Sequence, residues 1–184
     1  MKAPPHTARI IRICALLCLC LVSGAALPGR VAAGEVIRSF DSSVEILPNG
    51  SIMVTETIRF VAEGKKIRRG LYRDIPLAGA GGRNARFDVE EMRIDGVKSS
   101  HYAVERHHGA VRVRLGNPAH NLNPGEHTFV LVYTMTRQLY FFGDTCELGW
   151  NVTGDKWEFD IEQSTCRVVI PFGGGGGGGG GGGW

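Results

Sequence analysis

Val44-Glu-Ile-Leu-Pro-Asn-Gly-Ser-Ile-Met-Val-Thr-Glu-Thr-Ile-Arg-Phe-Val61 is two strands and the turn between them. Pro48-Asn49-Gly50-Ser51 is a strong turn signal, because Asn-Gly accepts the positive φ angles of a tight hairpin. Upstream, residues 36–47 alternate and put Phe40, Val44 and Ile46 on one side. Downstream, Ile52, Val54, Glu56, Ile58 and Phe60 share one face and Met53, Thr55, Thr57, Arg59 and Val61 the other. Glu56 therefore falls in the middle of an apolar stripe. A carboxylate there needs a partner, since an unpaired buried charge is costly. Arg73 is the expected one, in Arg69-Gly-Leu-Tyr-Arg-Asp-Ile-Pro76, whose Leu71, Tyr72 and Ile75 lay the segment against the core. A structural ion pair is favoured over a catalytic Glu56, because no second carboxylate, metal ligand or nucleophile is spaced beside it.

The same pattern continues outward from the hairpin. Residues 85–97 form another strand, closed by Asp95-Gly96, and residues 102–105 and 110–115 form a hairpin across His107-His108-Gly109. After the Asn123-Pro124-Gly125 turn, residues 127–142 carry apolar side chains on both faces, as a central strand does. Residues 158–161 and 165–170 supply closing strands, ended by Pro171. Residues 34–172 show no amphipathic pattern of three helical turns. The expected fold is all-β, an antiparallel β-sandwich of about seven to nine strands.

Between the last strands lies Gly143-Asp-Thr-Cys-Glu-Leu-Gly-Trp-Asn-Val-Thr-Gly-Asp-Lys-Trp157, a mixture of acids, amides, glycines and tryptophans. It reads as a structured loop in which Trp150 and Trp157 plug into the core while Glu147 and Asn151 act as further loop anchors. Its sharper alternative is a cation-dependent hydrolase using Asp144, Glu147, Asp155 or Asp160, which requires carboxylates converging on a metal or a sugar bond. His101, His107, His108, His120 and His127 fall in separate turns and strand ends without metal-ligand spacing, so neither a metal nor a cofactor is expected. Lys65-Lys-Ile-Arg-Arg69 reads as a solvated loop, with contact to anionic headgroups or an acidic polymer as the alternative. The glycines of residues 78–83 lack the Lys-Ser/Thr ending of a phosphate loop, and no nucleotide is assigned to them.

The N-terminus reads as an export signal. Lys2, Arg9 and Arg12 precede an apolar run over residues 13–21, and Val31-Ala32-Ala33 offers small residues for cleavage before Gly34. The +3 formal charge belongs to this segment: residues 1–33 hold four cations and no acid, leaving 17 of the 21 Lys and Arg against 18 Asp and Glu, a net charge of −1. Nucleic-acid binding loses its global support. Cys146 and Cys166 remain as a pair in an oxidising compartment, where a disulfide between them is expected to contribute about 3 kcal/mol. Gly173 to Gly183 and Trp184 form a tail that has no side chains to bury until its last residue. The expected organisation is a signal peptide over 1–33, one β domain over 34–172 and the glycine tail over 173–184.

Four stretches in order carry a family resemblance: Pro48-Asn-Gly-Ser51, Val54-Thr-Glu-Thr-Ile58, Gly70-Leu-Tyr-Arg-Asp-Ile-Pro76, and Glu147-Leu-Gly-Trp-Asn-Val-Thr-Gly154 with Trp157. Together they resemble the N-terminal domain of the DUF2207 family of predicted bacterial membrane proteins, over essentially residues 34–172. The resemblance implies an exported β domain followed by membrane helices and a Gly-rich tail ending in Trp. It implies no enzymatic activity and no catalytic residues. Here Pro171-Phe172 runs straight into the glycine tail; an internal deletion or assembly error across a repetitive tract is the favoured reason, with a genuine soluble paralogue or an artificial joining of the first domain to the tail as alternatives. Cys146 also stands where the family more usually has an acid. The functional expectation is a non-catalytic extracytoplasmic module, associated with a membrane through another segment. It would recognise an envelope protein, a glycan or the membrane surface.

Overall fold

The computed structural model describes residues 34–171; the expected signal segment and the glycine tail lie outside these. Eleven strands are present among the described residues: β1 Val36–Ile46, β2 Ile52–Ala62, β3 Leu71–Pro76, β4 Phe87–Ile94, β5 Val97–Lys98, β6 Tyr102–His107, β7 Ala110–Leu115, β8 Gly125–Met135, β9 Leu139–Phe142, β10 Thr145–Leu148 and β11 Ser164–Val169. One six-stranded sheet runs β11-β1-β2-β8-β4-β5, a three-stranded sheet runs β3-β7-β6, and β9 and β10 pair as a hairpin. The count exceeds the expected seven to nine because β5 has two residues and β10 four, too few for alternation to register.

The opening hairpin holds the register that its apolar alternation demands. Val44 lies opposite Val54, Ser42 opposite Glu56 and Phe40 opposite Ile58. Its turn is a three-residue loop rather than the two-residue form the Asn-Gly pair favours. Leu47 and Ser51 close it, Gly50 donates to the Leu47 carbonyl, and Gly50 has the one positive φ in the turn, at 76°. The two-residue form occurs instead at Asp95-Gly96, where both residues have positive φ and Ile94 faces Val97. Strand β8 is central, antiparallel to β2 on one side and β4 on the other.

The two main sheets face each other across one core. Ile52, Val54, Ile58, Phe60, Phe129, Leu131 and Met135 of the large sheet join Leu71, Ile75, Val111, Val113 and Leu115 of the small one. Every one of these is 2% exposed or less. The basic segment between β2 and β3 is anchored by Ile67, which is 1% exposed and part of the same cluster.

The all-β fold stands as expected, and three finer expectations are corrected. The closing strand β11 runs parallel to β1, pairing Ser42 with Cys166 and Val44 with Val168, so the architecture is not antiparallel throughout. Apolar alternation carries no information about strand direction, which the long return through residues 149–163 decides. Within that return, residues 158–161 form no strand; Ile161 makes a single bridge to Ile37. The Cys146–Cys166 disulfide is also absent. Both are free, exposed thiols, Cys146 on the β9–β10 hairpin and Cys166 on the edge of the large sheet.

Candidate functional site

Glu56 and Arg73 meet in the middle of the interlayer space. Glu56 sits on the inner face of β2 at 0% exposure, and Arg73 comes from the inner face of β3 at 2%. Arg73 Nε donates to Glu56 Oε2 at 2.9 Å and Nη2 to Oε1 at 2.8 Å, the bidentate fork that suits a carboxylate. Tyr133 of β8, fully buried, donates its hydroxyl to Glu56 Oε1 at 2.8 Å. Arg73 Nη1 then donates to the carbonyls of Thr153 at 2.7 Å and Asp74 at 3.1 Å, and Nη2 to that of Val152 at 3.2 Å. All five guanidinium N–H groups thus have an acceptor.

This arginine ties the tryptophan loop to both sheets. Its guanidinium lies 5.2 Å from the Phe40 ring centre and 5.8 Å from that of Trp157. Trp157 Nε1 donates to the Thr153 carbonyl at 2.7 Å, and Asn151 Oδ1 accepts the Gly154 N–H at 3.0 Å. Gly154 has φ 76°, and a Cβ on it would stand 2.4 Å from Arg73 Nη1. Trp150 packs half-buried beside Tyr133, ring centres 6.4 Å apart, with its own N–H buried and without an acceptor among the described residues.

Burial works against the Arg73 charge, but the Glu56 carboxylate outweighs it and raises the Arg73 pKa above its ordinary value. Burial pushes the Tyr133 pKa well above 10, and the neighbouring Glu56 charge pushes it the same way. Chemically the arrangement is closed. Both Glu56 oxygens are occupied by Arg73 and Tyr133, and a substrate has no access to a group at 0% exposure. Tyr133 and the carbonyls of Val152 and Thr153 complete the network, yet local sequence spacing gave no reason to place them beside Glu56.

The remaining predicted residues are placed differently. Glu147 is exposed on β10, opposite Tyr140, and is not a loop anchor: among the described residues its carboxylate has no hydrogen-bond or ion-pair partner, although the neighbouring Leu148 packs against the core. Asp144, Asp155 and Asp160 are likewise exposed. Among the described residues no group of three or more His, Cys, Asp or Glu is arranged to hold a metal ion. His127 pairs instead with Asp95, Nδ1 to Oδ2 at 2.8 Å, and with the Asn123 carbonyl through Nε2 at 2.7 Å. Among the described residues no helix is long and apolar enough to cross a membrane.

The chain is similar to known proteins in sequence more clearly than in shape. It is 27% identical over 131 residues to Uncharacterized protein YciQ of Escherichia coli (strain K12), a match that covers 69% of this chain but only 21% of that protein. Among solved structures, leukotriene A4 hydrolase from Saccharomyces cerevisiae aligns at a TM-score of 0.40 and 18% identity, covering 54% of this chain and 15% of that one. A putative protease from Parabacteroides distasonis aligns at 0.41 and 7%, covering 76% and 29%. Likeness at this level transfers no chemistry. The sequence motifs, the β architecture and a family match spanning residues 36–181 agree, and the chain belongs to the family described as Predicted membrane protein (DUF2207) N-terminal domain.

Proposed function

We propose that residues 34–171 act as a non-catalytic interaction module of a membrane protein, displayed on the extracytoplasmic side. Its binding partner would be an envelope protein, a glycan or the membrane surface. The observation that supports this reading best is the closure of the Glu56–Arg73–Tyr133 network. The buried acid and base that an enzyme of this size would offer are fully hydrogen-bonded to each other and to the loop, out of contact with solvent. A group so placed organises structure rather than substrate. The family description adds the membrane setting, and the export reading of residues 1–33 adds the side.

A cation-dependent hydrolase built on Asp144, Glu147, Asp155 and Asp160 makes the opposite demand. Those carboxylates would have to bind a divalent ion, and any ligand of the folded state raises its melting temperature. Thermal unfolding of the chain with Mg²⁺, Ca²⁺, Mn²⁺ or Zn²⁺ tests this. The expected result is the same midpoint as without metal. A rise that disappears in the D144N/E147Q/D155N/D160N variant would overturn the non-catalytic reading.

A further inference from the structure

We propose that the groove between the Lys65–Arg69 run and the outer face of the three-stranded sheet is an anion site for the phosphate group of an anionic lipid headgroup. The proposal rests on the interaction reading above and gives that module a ligand class. The groove has a volume of about 230 Å³ and is lined by Lys66, Arg68, Arg69, Gly70, Tyr72 and Arg114. Four of these carry positive charge, and no carboxylate lines it. Neighbouring cations are neutralised: Lys65 pairs with Glu63 at 2.6 Å, and Arg112 holds Asp74 through two 2.7 Å hydrogen bonds. Lys66, Arg68, Arg69 and Arg114 take part in none of the ion pairs among the described residues. Arg114 Nε is moreover buried and, among the described residues, has no hydrogen-bond partner, a donor on a groove-lining side chain that lacks an acceptor.

The backbone that carries these cations is held in place, while the side chains of Lys66, Arg68 and Arg69 reach solvent. The Glu35 carboxylate accepts the backbone N–H groups of Glu63, Lys65, Lys66 and Ile67, at 3.1, 3.0, 2.7 and 3.0 Å. Ile67 plugs the middle of the run into the core. The Arg68 carbonyl accepts from the Leu122 N–H at 2.8 Å, and Arg69 Nε donates to Asn121 Oδ1 at 3.3 Å. Gly70 and Gly116 then cross so closely that a Cβ on either would meet backbone: the Leu115 carbonyl oxygen at 1.7 Å, or that of Arg69 at 2.1 Å. This crossing brings Arg69 alongside β7, the strand that carries Arg114. Same-sign charges gathered on one held backbone repel until an anion joins them, and a backbone already ordered loses little entropy on binding. Guanidinium forks match phosphate oxygens. Tyr72, 56% exposed with Arg112 stacked over its ring at 5.5 Å, supplies the aromatic rim that suits a headgroup layer.

The test is co-sedimentation of the full chain with vesicles of phosphatidylcholine alone and of phosphatidylcholine mixed with phosphatidylglycerol. The apolar segment over residues 13–21 contributes equally in every variant, so the difference between variants reads the groove. R68Q/R69Q is expected to lower partitioning onto the anionic vesicles by about tenfold or more and to leave the zwitterionic vesicles unchanged. R93Q/K98Q, an equal charge loss on β4 and β5, is expected to change neither. Equal losses from both variants, or none from R68Q/R69Q, would overturn the groove. Glycerol phosphate is expected to displace the protein where sodium chloride of the same ionic strength does not; equal displacement would reduce the effect to screening and overturn phosphate recognition. Thermal stabilisation by glycerol phosphate without selective vesicle binding would overturn the lipid as the source. All of these outcomes are independent of the side of the membrane on which the module sits, so the groove and the module reading fail separately.

Discussion

Arg73 sits at 2% exposure with hydrogen-bond partners in β2, its own strand and the tryptophan loop. Replacing one member of such a pair leaves the other charged, buried and unpaired. Arg73→Met or Glu56→Met alone is therefore expected to lower the unfolding free energy by about 3–5 kcal/mol, and the double variant by much less than the sum. Urea denaturation of the four proteins checks this; additive losses would mean that the pair does not act as a unit. A second residue gives a pH signature. Burial alone would depress the His127 pKa, but hydrogen bonds to the Asn123 carbonyl and to Asp95 outweigh it and hold it above the ordinary 6.5. A raised pKa stabilises the protonated fold, so this contribution is full below pH 6.5 and is lost as pH rises through the folded value. Melting points measured across that range are expected to fall on the alkaline side, and His127→Gln is expected to flatten the trend.

Among the elements, the glycines separate turns that tolerate a side chain from crossings that do not. Gly50 has φ 76° and open space around its would-be Cβ, whereas Gly116 has φ 125° and would meet the Arg69 carbonyl. Gly50→Ala is expected to cost about 1 kcal/mol, and Gly116→Ala several times that, with near-ultraviolet circular dichroism reporting loosened packing around β3 and β7. Equal effects would mean that the crossing is not held as described. The elements also show what a sequence can and cannot say. The period-two pattern of residues 52–61 specifies β2, its inward face and the anomaly of Glu56, because burial on one face imposes that pattern directly. It is silent on Tyr133 as the third partner and on the carbonyls that Arg73 reaches, since these depend on how strands far apart in sequence register. It is equally silent on the parallel direction of β11, and it put the exposed Cys146 and Cys166 together for want of any other cysteine outside residues 1–33. The Lys65–Arg69 run reads as a solvated loop, and the side chains of Lys65, Lys66, Arg68 and Arg69 are exposed. That its backbone is held by Glu35 and by the crossing with Gly116 is not legible in the run, since both lie far along the chain.

At the scale of the whole molecule, the chain spans 21% of the length of its Escherichia coli relative and belongs to a family described as the N-terminal domain of a predicted membrane protein. Its inner chemistry is consumed in holding two sheets and a loop together. What faces outward is a cationic groove with Tyr72 at its rim and a hairpin exposing Phe141 and Phe142. The proposed interaction requires this surface on the side of the membrane where a partner would lie. The exposed Cys146 and Cys166 are natural reporters of that side. The most direct measurement is reaction of these thiols, in the full chain with Cys14, Cys18 and Cys20 replaced by Ser, with a membrane-impermeant maleimide on intact spheroplasts and again after lysis. Labelling in intact spheroplasts equal to that after lysis is the expected result and places the module outside the cytoplasm. Labelling only after lysis would contradict it.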